Sequence, residues 1–224
     1  MKKSIIFAVA LAMSFSTLKA QSTVKPIGKS NITLTSDKMT PEALWAMGRI
    51  AGAQASPDGK HIVYQVGYYS VKENKGHQVI CVMDSDGKNI KQLTTSSKSE
   101  SDPVWINGGK KIAFLSDGQI FTMNIDGSDR KKLTNDKTGI DGFKFSPDEK
   151  KVILIKQIPF HESIQKNPDD LPMATGRVVT DLNYRHWDEY VESIPHPYLA
   201  EVTPNGRTEG TDILEGEPYE CPMK

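Results

Sequence analysis

The window "DLNYRHWDEYVESIPHPYLAEV", Asp181 to Val202, holds the chemistry-bearing residue types of the chain at their highest density. It contains His186 and His196 beside the adjacent acids Asp188 and Glu189. On a strand His186 and Asp188 would point to the same side, and a histidine beside a carboxylate suits proton transfer or metal binding. The five histidines of the chain follow no known zinc spacing. We therefore expect neither a metal nor a cofactor.

A serine nucleophile on a sharp strand-to-helix turn requires Gly-x-Ser-x-Gly, because small flanking residues permit the strained turn. The nearest match, "GKSNI", starts at Gly28 but ends in Ile32. The aspartate of a serine-histidine-aspartate triad orients a histidine that faces the serine. Without a serine signal, the His186–Asp188 spacing does not predict a triad. The sequence thus predicts no catalytic residue within the 224 positions.

The N-terminal segment "MKKSIIFAVALAMSFSTLKAQ" has two lysines, an apolar run and a small residue at Ala20, which is the pattern of a secretory signal. We predict a signal peptide over residues 1–20, cleavage before Gln21 and a polar linker over 21–39. The apolar run is too short for a membrane anchor, which needs about 20 residues. The protein is expected to be exported, periplasmic or extracellular, with no membrane span after cleavage.

The net charge and the cysteine content bear on the type of partner and on disulfide formation. The 28 Lys and Arg residues balance 28 Asp and Glu residues, so the net charge does not indicate a nucleic-acid partner. Cys81 and Cys221 could form one bridge in an oxidising compartment. Cys81 lies in the apolar run "QVICVMD", where a cysteine more commonly acts as a small buried hydrophobic residue.

The elements that position these residues are short strands in a repeat of about 40 residues. Two stretches, Val79–Thr94 and Gln119–Thr134, align with their turn and end residues in step. The landmarks 40 residues apart are Asp86–Gly87 with Asp126–Gly127, Leu93–Thr94 with Leu133–Thr134, and Ile106–Leu115 with Ser146–Ile155. The motif "SPDG" at Ser56 marks an earlier copy. Ser-Pro-Asp-Gly and Asp-Gly predict turns between antiparallel strands, the latter a two-residue hairpin.

A 40-residue repeat of four strands predicts a β-propeller blade. The fold class is therefore all-β: an incomplete propeller of roughly three and a half to four blades over residues 40–224, with a β-sandwich as the alternative. Thr40 and Pro41 predict a short helix that Gly48 would end. Because a propeller usually closes with four to eight blades, the chain is expected to be part of a longer protein.

The run "TPEALWAMGRIAGAQASPDGKHIVYQV", the "SPDG…LT" repeats and then "YRHWDEYV…PHPYLAEV" together resemble the propeller of the prolyl oligopeptidase family of serine peptidases. The bacterial dipeptidyl-peptidase and acylaminoacyl-peptidase branches are the most similar. The resemblance covers residues 40–224. The repeats alone are shared with TolB-like propellers, whereas the arginine-histidine-tryptophan-aspartate run at Arg185 is the more specific signature.

The resemblance implies a propeller that screens substrate size above an α/β-hydrolase domain, which carries the Ser-Asp-His triad and follows the propeller in the chain. It implies cleavage of short peptides, with removal of N-terminal dipeptides. One branch holds the substrate amine with two adjacent glutamates, a pair that this sequence lacks. Asp188 and Glu189 are the candidates for contacting the peptide substrate. The rival hypothesis is a periplasmic TolB-like propeller that binds a protein or another ligand without chemistry.

Overall fold

The computed structural model describes residues 26–33, 36–160, 193–203 and 210–221, together with 164–165, 173, 178–179, 185–186 and 189–190. The predicted signal peptide lies outside these residues. The described chain is nearly all β, as predicted. Its one α-helix, α1 (Pro41–Ala46), begins where Thr40 Oγ1 accepts a hydrogen bond from the Ala43 amide at 3.2 Å. The helix ends two residues before Gly48, because Met47 already has extended backbone angles.

Three four-stranded antiparallel sheets form the body of the described chain. The first sheet contains β1 (Arg49–Ala55), β2 (His61–Ser70), β3 (Lys75–Asp84) and β4 (Lys91–Gln92). The second sheet contains β5 (Glu100–Ile106), β6 (Lys111–Ser116), β7 (Gln119–Asn124) and β8 (Lys131–Lys132), with a 3-10 turn at Asn107–Gly109 after β5. In both sheets each strand pairs with its neighbour in sequence.

The third sheet is interrupted in sequence. It begins with β9 (Gly142–Phe145) and β10 (Lys151–Pro159). Two pairs of two-residue antiparallel strands follow: β11 (Ile164–Gln165) with β12 (Val178–Val179), and β13 (Arg185–His186) with β14 (Glu189–Tyr190). The chain then returns with β15 (Ser193–Glu201) and β16 (Thr211–Asp212), which complete the third sheet in the order β16-β15-β10-β9.

The predicted count of three and a half to four units is therefore not confirmed by the described residues. The strands expected to begin a fourth unit, after residue 178, instead include the last two strands of the third sheet. A count based on a constant 40-residue period fails because the connection from Pro159 to Ser193 is much longer than its counterparts in the first two sheets. The described residues contain three such units.

The three sheets pack face to face in sequence order. One cluster joins the first and second sheets, and another joins the second and third. Successive residues of β6 point to opposite sides: Phe114 enters the first cluster and Leu115 the second. The clusters share no buried residue; they comprise Val63, Ile80, Ile112, Phe114 and Met123, and then Ala113, Leu115, Ile120, Ile140, Val152, Leu154 and Ala200. The middle sheet is thus apolar on both faces.

The repeated landmarks have repeated hydrogen bonds. Ile80 and Ile120 donate their amides to the hydroxyls of Thr94 and Thr134, each at 2.9 Å. Both threonines are buried. Each hydroxyl therefore supplies the acceptor that a backbone carbonyl of the neighbouring strand would otherwise supply to the amide in β3 or β7. The physical reason for the Leu-Thr repeat is this substitution of a side-chain acceptor for a backbone one.

The "SPDG" turn at Ser56 joins β1 to β2, and the related "SPDE" turn at Ser146 joins β9 to β10, as predicted. Ser56 donates its hydroxyl to Asp58 Oδ1 at 2.6 Å and accepts the His61 amide at 3.0 Å. Ser146 repeats both contacts in the third sheet. The Asp-Gly turns were predicted as two-residue hairpins, but Asp84 accepts the Gly87 amide and donates its own amide to Lys88 across a three-residue loop. In that loop only Gly87 has a positive φ, 81°.

Candidate functional site at the third sheet

The predicted substrate-contacting acids lie on the long connection of the third sheet. Glu189 belongs to β14, where its backbone is paired with that of His186, and its side chain lies outside the described residues, as does all of Asp188. The connection leaves and returns at one end of the sheet, because Pro159 of β10 pairs with Ser193 of β15. The described part of the candidate site is therefore the base of this connection.

A polar cluster occupies that base. Its centre is His196, a fully buried residue of β15 directly opposite Lys156 of β10. Alternation along β15 turns Ile194, His196 and Tyr198 to one side of the sheet. That side packs against the second sheet, where Tyr198 borders the apolar cluster. Polar residues thus continue an otherwise apolar face at the end nearest the connection.

The imidazole of His196 is held by a carboxylate from the neighbouring strand. Nδ1 of His196 lies 2.9 Å from Oδ2 and 3.2 Å from Oδ1 of Asp212, a residue of β16. Burial raises the pKa of Asp212, but hydrogen bonds from His196 and from the Leu214 amide outweigh it and hold the pKa below its usual value of 3.8. Asp212 is then ionised at neutral pH. Because an ionised carboxylate only accepts, Nδ1 carries the proton.

A buried ion pair extends the cluster. Lys156 Nζ donates to Asp136 Oδ2 at 2.8 Å, and the two side chains are only 13% and 7% exposed. Burial raises the pKa of Asp136, whereas hydrogen bonds from Lys156 and Thr138 lower it, and the net pKa lies below 3.8. The same ammonium group lies 4.3 Å from the ring centre of Tyr198. The cation therefore links the carboxylate of one loop to the aromatic ring of β15.

The geometry of the His196–Asp212 pair supports a role in positioning strand β16. Nε2 of His196 is buried, and no hydrogen-bond partner lies beside it within the described part of the chain. A triad would need a hydroxyl within about 3 Å of that atom. What the pair does achieve is attachment of a very short strand. β16 has two residues, and its hold on β15 is completed by the Ile213 amide, which donates to the Pro197 carbonyl at 2.9 Å.

Three members of the cluster were missed from sequence. His196 lies in the window from Asp181 to Val202 that the sequence singled out, but Asp136, Lys156 and Asp212 lie outside it. Lys156 did carry a signal: it occupies the inward position two residues after buried Leu154 in "KVILIKQ". A lysine at an inward strand position requires a partner. Asp212 lies 16 residues from His196, and no local pattern links them.

Within the residues that the structure describes, no three His, Cys, Asp or Glu side chains gather as metal ligands would. The same residues include no helix long and apolar enough to cross a membrane. No family model matches the chain.

Comparison with curated proteins gives a clear likeness. A dipeptidyl-peptidase 5 of Porphyromonas gingivalis is 45% identical over 196 residues, which are 86% of this chain and 29% of that protein. Over most of its length this chain resembles dipeptidyl-peptidase 5. The corresponding protein of Porphyromonas endodontalis is 41% identical over 197 residues, 86% of this chain and 28% of that protein. The chain thus spans under a third of the dipeptidyl-peptidase 5 relatives it matches.

The fold has a counterpart among solved structures. The acylaminoacyl peptidase of Pyrococcus horikoshii superimposes with a TM-score of 0.51 over 71% of this chain and 24% of its own, at 13% identity. At that identity the likeness concerns the fold. Together with the dipeptidyl-peptidase 5 relatives, it confirms the resemblance drawn from the repeats and the "YRHWDEYV" run.

Proposed function

We propose that this chain is the propeller part of an exported serine peptidase that removes dipeptides from short peptides, and that it gates and orients the substrate. The observation that carries the proposal is the 45% identity with dipeptidyl-peptidase 5 over 86% of the chain. Catalysis comes from a Ser-Asp-His domain outside these 224 residues. The dipeptidyl-peptidase 5 relatives are more than three times as long as the matched region, which leaves room for such a domain.

The propeller arrangement rests on the serial packing of the sheets. The far face of the third sheet carries half-exposed apolar residues, among them Ile153 at 40% and Leu199 at 41% exposure. These two are direct cross-strand partners on β10 and β15. We propose that a further sheet of the same kind covers them, as the third sheet covers the second, and that the series closes into a ring.

Within this ring, Asp188 and Glu189 are proposed to contact the peptide. A dipeptidyl-peptidase substrate has a free N-terminal amine, which is largely protonated near neutral pH. Two adjacent carboxylates would attract it and set its distance from the scissile bond. The polar cluster around His196 supports this role, because it fixes the strands from which the connection with both acids arises.

The test uses the protein encoded by the complete reading frame, with Asp188→Asn and Glu189→Gln combined. The expected result is a KM raised about tenfold for a free-amine dipeptidyl substrate, at little change in kcat, because ground-state binding is lost. The matched control replaces the other adjacent acids, Asp169→Asn with Asp170→Asn. An unchanged KM in the first pair, or an equal rise in the control pair, would remove Asp188 and Glu189 from the substrate site.

Export is proposed from the N-terminal pattern. The mature protein is expected to begin at Gln21, and sequencing its N-terminus after expression in the source cells tests this. A mature protein that starts at Met1 would contradict export through cleavage. The TolB-like alternative would hold if the complete reading frame closes the propeller, ends there and shows no peptidase activity.

A further inference from the structure

A cleft of about 330 Å³ opens between α1 and the β2–β3 hairpin. Helix residue Trp45 forms one wall, and Tyr69, Val71 and Lys75 of the hairpin form the other. Arg49, the first residue of β1, lies between them. None of these residues belongs to the cluster around His196 or to the proposed substrate acids.

The guanidinium of Arg49 lies over two aromatic rings. Its central carbon lies 4.7 Å from the ring centre of Trp45 and 4.4 Å from that of Tyr69. The two rings themselves meet edge to face, with centres 5.6 Å apart. The two ring faces attract the cation but offer no oxygen acceptor to its N–H groups. The rings therefore hold the guanidinium without accepting conventional hydrogen bonds from it.

Two glycines make room for this arrangement. Arg49 pairs with Gly67 across β1 and β2, and Tyr69 pairs with Gly76 across β2 and β3. A Cβ at Gly76 would lie 3.2 Å from the Tyr69 ring, and one at Gly67 would lie 3.3 Å from the Tyr69 hydroxyl. The ring of Tyr69 can thus lie across the hairpin because neither Gly67 nor Gly76 has a side chain.

The part of the chain that the structure describes gives the cleft positive charge and no counter-charge. Among the described residues, no carboxylate lies within ion-pair distance of Arg49 or Lys75, the two cations of the cleft. The ion pairs of the described chain all lie elsewhere: His61–Asp84, Lys88–Asp86, Lys98–Asp117, Lys111–Asp129, Arg130–Glu100, Lys131–Asp129, Lys156–Asp136 and His196–Asp212. The acid of the hairpin, Glu73, instead accepts a hydrogen bond from Ser70. Within the described chain, Arg49 and Lys75 thus line one cleft without a carboxylate partner, an arrangement that suits an anion.

We propose that this cleft binds a carboxylate carried on a flat apolar group, such as the C-terminal carboxylate of a short peptide that ends in an aromatic residue. The carboxylate would accept two N–H bonds from Arg49, a geometry for which the guanidinium fork is suited. Lys75 adds attraction at the rim. The apolar group would lie against Val71 and the exposed edge of Trp45, which are 68% and 40% exposed.

The probe is N-acetyl-phenylalanine, and its neutral match is N-acetyl-phenylalanine amide, which differs only in charge. A ¹H–¹⁵N NMR titration of the 224-residue chain follows the indole signal of Trp45, which is assigned by its loss in Trp45→Phe. We expect saturable shifts of this signal with the acid and at least about tenfold weaker binding of the amide. Equal binding of both probes, or no saturable shift with the acid, overturns the proposal.

Charge variants locate the site. Lys75→Gln retains Arg49 over the rings and is expected to weaken binding of the acid severalfold. Lys72→Gln, on the same hairpin but outside the cleft lining, is the matched control and is expected to have no effect. Arg49→Lys keeps the charge but loses the fork, and is expected to weaken binding by about tenfold. Equal effects of Lys75→Gln and Lys72→Gln would also overturn the proposal. Because binding alone is measured, these results do not depend on peptidase activity.

Discussion

His196 and Asp212 form a hydrogen-bonded pair in which Nδ1 of the imidazole lies 2.9 Å from Oδ2 of the carboxylate. The histidine is fully buried, and the aspartate belongs to a strand of two residues. The pair connects β15 to β16 at the base of the connection that bears Asp188 and Glu189. Several measurable properties depend on it and on the repeated contacts of the three sheets.

Asp212→Ala should destabilise the fold. It removes the acceptor of a buried N–H, which costs about 1–3 kcal/mol in free energy of unfolding. Urea unfolding at pH 7 measures the change. Lys98→Ala is the control, because Lys98 pairs with Asp117 on the exposed surface and such pairs contribute about 0–1 kcal/mol. A loss for Asp212→Ala no larger than for Lys98→Ala would contradict the role of the pair.

The effect of Asp212→Ala should also depend on pH. The folded-state pKa of Asp212 lies below the usual aspartate value of 3.8, because hydrogen bonds from His196 and the Leu214 amide outweigh the effect of burial. A depressed pKa contributes stability that is present above the unfolded-state pKa and is lost as pH falls through the folded-state pKa. The difference between the wild type and Asp212→Ala is therefore expected to shrink as the pH falls below about 4. A difference that grows as the pH falls below about 4 would contradict this assignment.

Thr94→Val should destabilise the first sheet. The substitution keeps the shape but leaves the buried Ile80 amide without its acceptor, so the free energy of unfolding should fall by about 1–3 kcal/mol. Thr134→Val should cost a similar amount in the second sheet, because Thr134 accepts the Ile120 amide at the same distance. Thr95→Val, one residue along and exposed, is the control. Equal stability of Thr94→Val and Thr95→Val would exclude the side-chain acceptor role.

The repeats predicted the local structure well because each landmark acts within its own sheet. The Thr94 hydroxyl meets an amide 14 residues away, and the Ser56 hydroxyl meets an amide five residues away. Such contacts recur wherever the residue types recur, so alignment at one offset reveals them. The turn residues themselves predicted the "SPDG" turn, and the apolar run "QVICVMD" predicted the buried position of Cys81, which is 5% exposed.

The cluster and the unit count could not be predicted in the same way. Lys156, His196 and Asp212 meet only because β15 returns to β10 after a long connection, and nothing in the period of the repeat gives the length of that connection. The Asp-Gly turns differ for a local reason. The Asp-Gly pair is compatible with more than one loop, and here the glycine alone takes the left-handed conformation.

Gly59→Ala tests the backbone of the "SPDG" turn. Gly59 has a φ of 69°, and no atom lies near the position of an added Cβ. The cost of Gly59→Ala should therefore come from the backbone alone, about 1–2 kcal/mol for a left-handed residue with a Cβ. Gly28→Ala is the matched control, since Gly28 also has open space but no positive φ. Thermal unfolding of both variants decides; equal melting temperatures would contradict the turn geometry.

The two cysteines should react differently, because both are free thiols in unlike surroundings. Burial raises the pKa of Cys81 to about 11, so at pH 8 little of it is thiolate, the reactive form. An aromatic disulfide reagent should titrate one thiol rapidly and the second only after unfolding. Cys221→Ser should abolish the rapid phase. Two equally fast thiols, or none before reduction, would contradict these assignments.

The most direct measurement is the rate of dipeptide release from a chromogenic dipeptidyl substrate by two purified proteins, the 224-residue chain and the product of the complete reading frame. If the chain is the substrate-gating propeller of a dipeptidyl-peptidase, the longer protein should release dipeptides and the 224-residue chain should release none under the same conditions. Hydrolysis by the 224-residue chain itself, or the lack of any hydrolysis by the longer protein, would contradict the proposed function.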